Sequence, residues 1–339
     1  MKKVTVVVAL CTFVLAGLVA VAWAQLGPEA PMLAKQTLSP IGLDIPEAAV
    51  PSPISANPAG IVGMADWGIT EATEFDYGWI RFQDGPDVRS DIQTMLGIDQ
   101  SGGYWRVMRY GFNSNTSEAA RVLPAGTMAK LSGEAFMVSY ARQSGPVRWG
   151  VSLNPRDTAK TQVFVPDGFG GLVEVANGEA YSTFSGRLGL QTPLLPKLNY
   201  GLLYTYEHDK TDLLLSPLIT GLPEPIVLSG GYLSKLATVG LAWQPSSATT
   251  TFLDYQCGTI RGDNLDTSVN LWYVGVEQFL SPQFSIKITN LDGAWGYTAG
   301  YYQGTKLNAG VSFSPGSFRR TQEYLGKADT TYIWIAGSW

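Results

Sequence analysis

The chain has 339 residues, a formal net charge of −5 and two cysteines, Cys11 and Cys257. The acidic balance argues against nucleic-acid binding, which needs a basic surface. Cys257 alone follows the N-terminal apolar run, so no disulfide within an exported chain is expected. Charged residues make up only 15% of the chain, whereas about a quarter is usual in a soluble domain.

The N-terminal segment has the pattern of a secretory signal. Two lysines precede an apolar run that extends to about Val21, and Ala22-Trp23-Ala24 supplies the small residues of a cleavage site. We therefore expect residues 1–24 to be removed during export, and an uncleaved N-terminal anchor is the alternative. No apolar run of about 18 residues follows, so the sequence does not predict a helical membrane span.

Residues 25–64 are rich in proline and alanine and lack the periodicity of a strand. The tetrapeptide Asn57-Pro58-Ala59-Gly60 lies just before the first expected strand. Pro58 biases Asn57 towards extended geometry, and the Asn57 side chain can bond to the local backbone. A segment inside a barrel must satisfy its own backbone N–H and C=O groups. Turn chemistry of this kind at Asn57–Gly60 suits a plug formed by residues 25–64, with an ordinary surface turn as the alternative.

From Val147 onward, apolar and polar residues alternate with the period of two that is typical of strands. The stretch KLNYGLLYTYE (Lys197–Glu207) is one example. The polar positions are mostly Ser, Thr, Asn, Gln and Gly, and Tyr and Trp lie near strand ends, as in a barrel with a wet lumen and aromatic girdles. A soluble sandwich is the alternative, but its exterior face usually carries many Lys and Glu. The pattern predicts an all-β, antiparallel transmembrane barrel.

Short and long connections alternate through the middle of the chain, as in outer-membrane barrels with tight periplasmic turns and long outer loops. We expect about 14 strands within residues 65–339, with about 12 as the alternative. Parity places a hairpin in Asp66–Phe82, and apolar residues at helical spacing predict an amphipathic helix at Asp87–Ile98. A long outer loop is expected at Pro155–Tyr181. The last strand ends on Trp339, an aromatic terminus that predicts recognition by the barrel-assembly machinery.

Two stretches resemble a known family. The Asn57–Gly60 element resembles the NPA element of the long-chain fatty-acid transporter (FadL-like) family and of the related secretion barrels called PorV. Val274–Pro315 resembles the late hairpins of that family, with a G-x-E strand end, an S-P turn and a glycine-containing strand. The resemblance implies an outer-membrane barrel whose N-terminal hatch enters the lumen. Such a barrel takes up hydrophobic, fatty-acid-like molecules passively or, as in PorV, docks secreted proteins or anchors surface structures.

An apolar connection is expected on the outer side of the membrane. An exposed apolar patch usually marks a binding surface, so we expect a capture loop for a hydrophobic molecule; an extension of the flanking strands is the alternative. Its apolar residues are Leu213, Leu214, Leu215, Leu218, Ile219, Leu222, Ile226, Val227 and Leu228.

Six charged residues are expected in the lumen, where opposite charges can pair with each other or with the plug: Arg148, Arg187, Glu207, Asp254, Lys287 and Lys306. The single histidine, His208, has no nucleophile at a recognisable spacing, so we set an enzyme aside and expect no catalytic residue, cofactor or metal site. The expected partners are membrane lipid, the barrel-assembly machinery, and a hydrophobic small molecule or a secreted protein. The expected location is the outer membrane of a diderm bacterium.

Overall fold

The computed structural model describes residues 48–50, 56–67, 71–82, 87–99, 101–116, 128–167, 169–215, 224–262, 265–291, 293–303, 307–314 and 330–338. A 3-10 helix occupies Pro58–Trp67. The strands that follow are β1 (Glu71–Phe82), β2 (Asp87–Ile98), β3 (Tyr104–Thr116), β4 (Met128–Ser144), β5 (Val147–Pro166), β6 (Leu172–Leu195), β7 (Leu198–Leu215), β8 (Ile226–Ser246), β9 (Thr249–Gly262), β10 (Leu265–Ser281), β11 (Phe284–Leu291), β12 (Ala294–Gln303), β13 (Leu307–Ser314) and β14 (Thr330–Ser338). None of the helices in this described part is long and apolar enough to cross a membrane.

The strands form one antiparallel sheet in which each strand pairs with its neighbours in sequence. β1 also pairs with β14, from Glu74 opposite Ser338 to Phe82 opposite Thr330, and this pairing closes the sheet into a barrel. Closure leaves no sheet edge whose backbone N–H and C=O groups would face lipid unpaired. The predicted antiparallel transmembrane β-barrel is thus confirmed as the fold class.

The start of the barrel differs from the prediction. Asp66–Phe82 does not form a hairpin: the 3-10 helix runs to Trp67, three residues beyond the expected plug boundary at residue 64, and β1 is a single strand. Asp87–Ile98 is a strand, β2, and not an amphipathic helix. The reason is pairing, because β2 is bonded to β1 along one edge and to β3 along the other. A helix at this position would leave both neighbours with an unpaired edge in the membrane.

The wall of the barrel has an apolar outer face and a polar inner face. On β5, the outward Trp149 is 40% exposed, whereas its inward neighbours Arg148 and Gly150 are buried. The same alternation on β10 leaves Trp272 55% exposed and Glu277 only 1% exposed. The apolar face of the strands therefore points away from the lumen, as the composition of the polar positions predicts.

Four predicted short connections are two-residue turns at one end of the barrel. They join β4 to β5, β6 to β7, β8 to β9 and β10 to β11. The β2–β3 turn at the same end is fixed by Asp99, whose Oδ1 accepts hydrogen bonds from the backbone N–H groups of Ser101 (2.8 Å) and Gly103 (2.9 Å).

At the opposite end, much of what was predicted as loop is strand. β5 and β6 continue through most of Pro155–Tyr181, so the predicted long loop shrinks to residues 167–171. β6 has 24 residues, whereas β11 and β13 have 8 each. Residues 156–166, 172–182, 209–215 and 226–232, together with residues 128–136 of β4 that pair with β5, therefore form an extension on one side of the barrel. At about 3.3 Å per residue, its tallest part adds about 35 Å of strand.

Candidate functional site: a lumen segment seated on the barrel wall

The N-terminal residues that the structure describes are packed against the inner wall. We call residues 48–50 and 56–62 the lumen segment. Ala48, Asn57 and Ala59 are each 0% exposed, and Ile61 and Val62 are at most 2% exposed. The 3-10 helix packs against β3, β4, β5 and β6. This part of the segment therefore covers the inward, polar face of these four strands.

Asn57 is the polar centre of this packing. Its side-chain Nδ2 donates to the carbonyl oxygens of Ala48 (2.6 Å), Leu190 (3.2 Å) and Leu202 (3.2 Å). Leu190 and Leu202 are opposite each other on β6 and β7, so the amide sits over the seam between these strands. Its Oδ1 accepts the backbone N–H of Ala59 (3.0 Å), which starts the 3-10 helix. One buried side chain therefore joins both parts of the lumen segment to the wall.

Two further side chains hold residues 48–50. Gln191, fully buried on β6, donates from Nε2 to the carbonyl oxygens of Ala48 (3.0 Å) and Val50 (3.2 Å). Asp254 on β9 accepts the backbone N–H of Ala48 through Oδ1 at 3.3 Å. Both backbone polar groups of Ala48 are thereby satisfied by barrel side chains. The wall thus supplies the bonds that this non-strand backbone cannot form within itself.

A row of glycines allows the segment to lie this close to the strands. The row consists of Gly150, Gly189, Gly201 and Gly240, on β5 to β8. A Cβ at Gly189 would overlap the Asn57 Oδ1 atom, and a Cβ at Gly201 would overlap the carbonyl group of Ala48. Because these four positions lack side chains, the lumen segment can lie directly against the strand backbones.

Apolar contacts anchor the two ends of the segment on different arcs of the wall. Ala49 and Val50 belong to a buried cluster with Ala242, Phe252 and Tyr273 of β8, β9 and β10. Ile61 and Val62 pack with Ala141 of β4 and the partly buried Tyr104 of β3. The lumen segment therefore reaches across the inside of the barrel between these two clusters.

The predicted lumen charges are partly brought together. Asp254 contacts the lumen segment directly, and Arg148 is buried opposite Gln191 on the neighbouring strand. Lys287 is 1% exposed and its Nζ lies 4.8 Å from the centroid of the Phe252 ring. Arg187 and Glu207 are only half-buried, opposite Ser152 and Ser185 respectively, and Lys306 lies outside the described residues.

The predicted capture loop is shorter than expected. Leu213–Leu215 end β7 and Ile226–Leu228 begin β8, and they pair in register from Leu213 opposite Leu228 to Leu215 opposite Ile226. These six residues are strand because the β7–β8 ladder continues without a break to its last pair, Leu215 and Ile226. Leu218, Ile219 and Leu222 lie outside the described residues, as do the signal segment and Trp339.

Sequence reasoning missed several residues of this site. Gln191 and the glycine row have no local signal, because their roles depend on a chain segment more than 90 residues away. Arg106 of β3 is fully buried and donates to the Ser139 hydroxyl from Nε (3.3 Å) and Nη2 (3.1 Å). Glu277 of β10 lies opposite Lys287 and accepts the Ser285 hydroxyl at 2.8 Å. The alternation of β3 and β10 places both charges on the polar face and could have identified them.

The architecture is similar to that of several solved structures. The Ralstonia pickettii toluene transporter TbuX superimposes with a TM-score of 0.56 at 13% identity, covering 92% of this chain and 97% of that one. The fold is that of a FadL-like outer-membrane barrel. The barrel is also similar to the Pseudomonas putida toluene transporter TodX, with a TM-score of 0.50 at 12% identity, covering 86% of this chain and 94% of that one. Its similarity to the monoaromatic hydrocarbon channel CymD has a TM-score of 0.50 at 12% identity and covers 87% of this chain and 94% of that one. No protein-family model and no curated protein matches the sequence.

Proposed function

We propose that this FadL-like barrel is a passive outer-membrane channel for hydrophobic small molecules and that the lumen segment is its hatch. The observation that carries the proposal is the way the segment is seated. It is held by hydrogen bonds that Asn57 and Gln191 donate and Asp254 accepts, and by two small apolar clusters. Each hydrogen bond contributes about 0.5–1.5 kcal/mol, so an apolar ligand that replaces the contacts of the two small clusters has only a few such bonds left to overcome.

The extension supports capture of an apolar ligand at the outer mouth. Its outward face is polar, with Lys160 paired to Glu179 (3.7 Å) and Gln162 bonded to Glu174 (3.3 Å). On the other face, Ala176 and Gly178 are buried, and their register partners on β7 are Leu215 and Leu213. Capture of the ligand on this face of the extension is part of the proposal.

The proposed substrate is an apolar molecule with at most one polar group. The structures to which the fold is similar are named as toluene transporters and a monoaromatic hydrocarbon channel, and the sequence resemblance implies fatty-acid-like compounds. The proposal also includes cleavage after residue 24, orientation of the short turns towards the periplasm, and insertion by the barrel-assembly machinery on the signal at Trp339.

A reversible lock of the hatch tests the mechanism. Ala49→Cys and Ala242→Cys place a thiol on each side of one buried cluster, and Cys257→Ser removes the native thiol. Uptake of labelled toluene and of a labelled long-chain fatty acid is measured in liposomes, with cross-link formation checked by mass. We expect uptake to stop on oxidation and to return on reduction. Unchanged uptake by the fully oxidised barrel would show that the hatch does not gate transport.

A pair of variants in the extension tests capture. Val163→Ser with Val165→Ser makes the mouth-facing surface polar, and Gln162→Ala with Asn177→Ala is the matched control on the outward face. We expect the first variant to reduce uptake about tenfold at low substrate concentration, because burial of apolar ligand surface is lost. The PorV-like docking function would be favoured by two results together. The wild-type protein would transport neither substrate in liposomes, and it would co-purify with one defined exported protein.

A further inference from the structure

A groove of about 550 Å³ lies on the outer surface of the wall, at the end that carries the short turns. It is lined by Leu195, Pro196, Lys197, Leu198 and Trp243. Leu198 and Trp243 are opposite each other on β7 and β8, Leu195 ends β6, and Pro196 and Lys197 form the β6–β7 turn. The groove is separate from the lumen, since it is formed by the outward face of these strands.

The floor of the groove is apolar and uncovered. Leu195 is 56% exposed and Trp243 is 51% exposed. On a lipid-facing wall such side chains contact acyl chains, and an indole next to a turn takes the position of an interfacial girdle residue. The volume lies within the range of about 300–1,000 Å³ that is usual for sites of small ligands.

Lys197 places a positive charge at the rim of this floor. Its Nζ donates to the carbonyl oxygen of Pro245 at 2.7 Å, and its own carbonyl oxygen accepts the backbone N–H of Gln244 at 2.8 Å. These two bonds join the β6–β7 turn to the end of β8 and fix where the ammonium lies. An ammonium group has three N–H donors, and the bond to Pro245 uses one of them.

We infer that the groove binds one diacyl glycerophospholipid from the leaflet at the short-turn end. An acyl chain lies along Leu195, Leu198 and Trp243, and the phosphate accepts hydrogen bonds from Lys197. An apolar floor with a single fixed cation at the membrane boundary matches an amphiphile with an anionic head group. The five lining residues are far fewer than the roughly 20–30 residues per side of a stable protein interface.

Native mass spectrometry of the delipidated barrel tests this inference directly. Dioleoyl phosphatidylglycerol is titrated against the wild type, Lys197→Gln and Lys197→Arg, with dioleoylglycerol as the probe that lacks a phosphate. Lys160→Gln is the matched control, because Lys160 is an exposed lysine of the extension. We expect one retained phosphatidylglycerol in the wild type, about tenfold weaker binding in Lys197→Gln, and recovery in Lys197→Arg, since charge-assisted hydrogen bonds are the strong ones.

The other outcomes overturn the inference. Equal retention by Lys197→Gln and the wild type would show that Lys197 does not bind the phosphate. An equal effect of Lys197→Gln on dioleoylglycerol would point to an altered turn and not to lost phosphate contact. Binding of toluene in the groove, in place of phospholipid, would assign it to the transported compound. Lipid retention is measured on the purified barrel without transport, so its failure is distinguishable from a failure of the proposed uptake function.

Discussion

The Oδ1 atom of Asn57 occupies the space that a Cβ of Gly189 would take. Replacing Gly189 by alanine therefore has to displace Asn57, and with it the bonds to Leu190 and Leu202. Losing these bonds costs about 1–3 kcal/mol. We expect Gly189→Ala to raise the open probability of the barrel in planar bilayers about tenfold.

Gly186→Ala is the control for this experiment. Gly186 is on the same strand, and a Cβ there meets no atom closer than 3.3 Å, the carbonyl oxygen of Ser152. Similar conductance of Gly189→Ala and Gly186→Ala would mean that the lumen segment tolerates displacement of Asn57 without opening.

Asn57→Asp separates the hydrogen bonds from the shape of the side chain. The carboxylate has almost the same volume but no donors, and it would point towards three carbonyl oxygens. We expect a larger effect than in Gly189→Ala, because the carboxylate keeps only the bond from the Ala59 N–H, loses the donated bonds and is repelled by the carbonyl oxygens. The measurement is cell permeability to a large hydrophobic dye, with the exposed Asn177→Asp as the control. Equal permeability of the two variants would contradict a clamping role for Asn57.

The sequence predicted the middle of the barrel better than its start. Near the short turns, the strands between Val147 and Ser314 alternate polar and apolar residues, and this pattern predicts the hairpins. It does not extend through Pro155–Tyr181, where strand was predicted as loop. In Asp87–Ile98, by contrast, Val88, Ile92 and Leu96 fit both a helix and one face of a strand. The choice depends on β1 and β3 needing partners on both edges, which local periodicity does not encode.

The lumen site was predictable only in part, and the reason is again distance along the chain. Asn57 has a local signal because turn chemistry identifies it. Its acceptors Leu190 and Leu202 are separated from it by 133 and 145 positions and contribute only backbone oxygens. Residues that act through their carbonyl groups, or through the absence of a side chain, leave no mark that one sequence can reveal.

The Asp99 turn gives a pH-dependent prediction at the short-turn end. The hydrogen bond from the Ser101 hydroxyl (2.6 Å), followed by that from the Gly103 backbone N–H, lowers the pKa of Asp99 below its ordinary value. A lowered pKa means that the charged form is favoured by folding. The turn is therefore stabilised above the ordinary pKa, and this stabilisation is lost as pH falls through the lowered pKa.

Ser101→Ala removes the largest cause of this effect. We expect the Asp99 pKa to rise towards its ordinary value, measured as the pH dependence of the carboxyl carbon shift by NMR. Ser247→Ala, in the β8–β9 turn, serves as the control. An Asp99 pKa that is unchanged in Ser101→Ala would show that the hydroxyl does not stabilise the carboxylate.

Glu277 and Lys287 give the sharpest test of the buried charges. They are opposite each other on β10 and β11, and each is 1% exposed. Lys287→Met removes the positive charge next to a buried carboxylate, which typically costs about 3–5 kcal/mol. Adding Glu277→Gln removes the remaining charge while keeping an acceptor for Ser285, so the double variant should recover most of the loss. The measurement is the temperature at which the barrel, heated in detergent, no longer migrates in gel electrophoresis at the position of its compact folded form.

The exposed pair Lys160 and Glu179 is the matched control, since their side chains are 62% and 50% exposed and 3.7 Å apart. Lys160→Met should cost at most about 1 kcal/mol, because solvent screens such pairs. A Lys287→Met variant no less stable than Lys160→Met would mean that the lumen keeps Glu277 neutral or hydrated, and the polar face of the barrel would then be wet and not packed at this level.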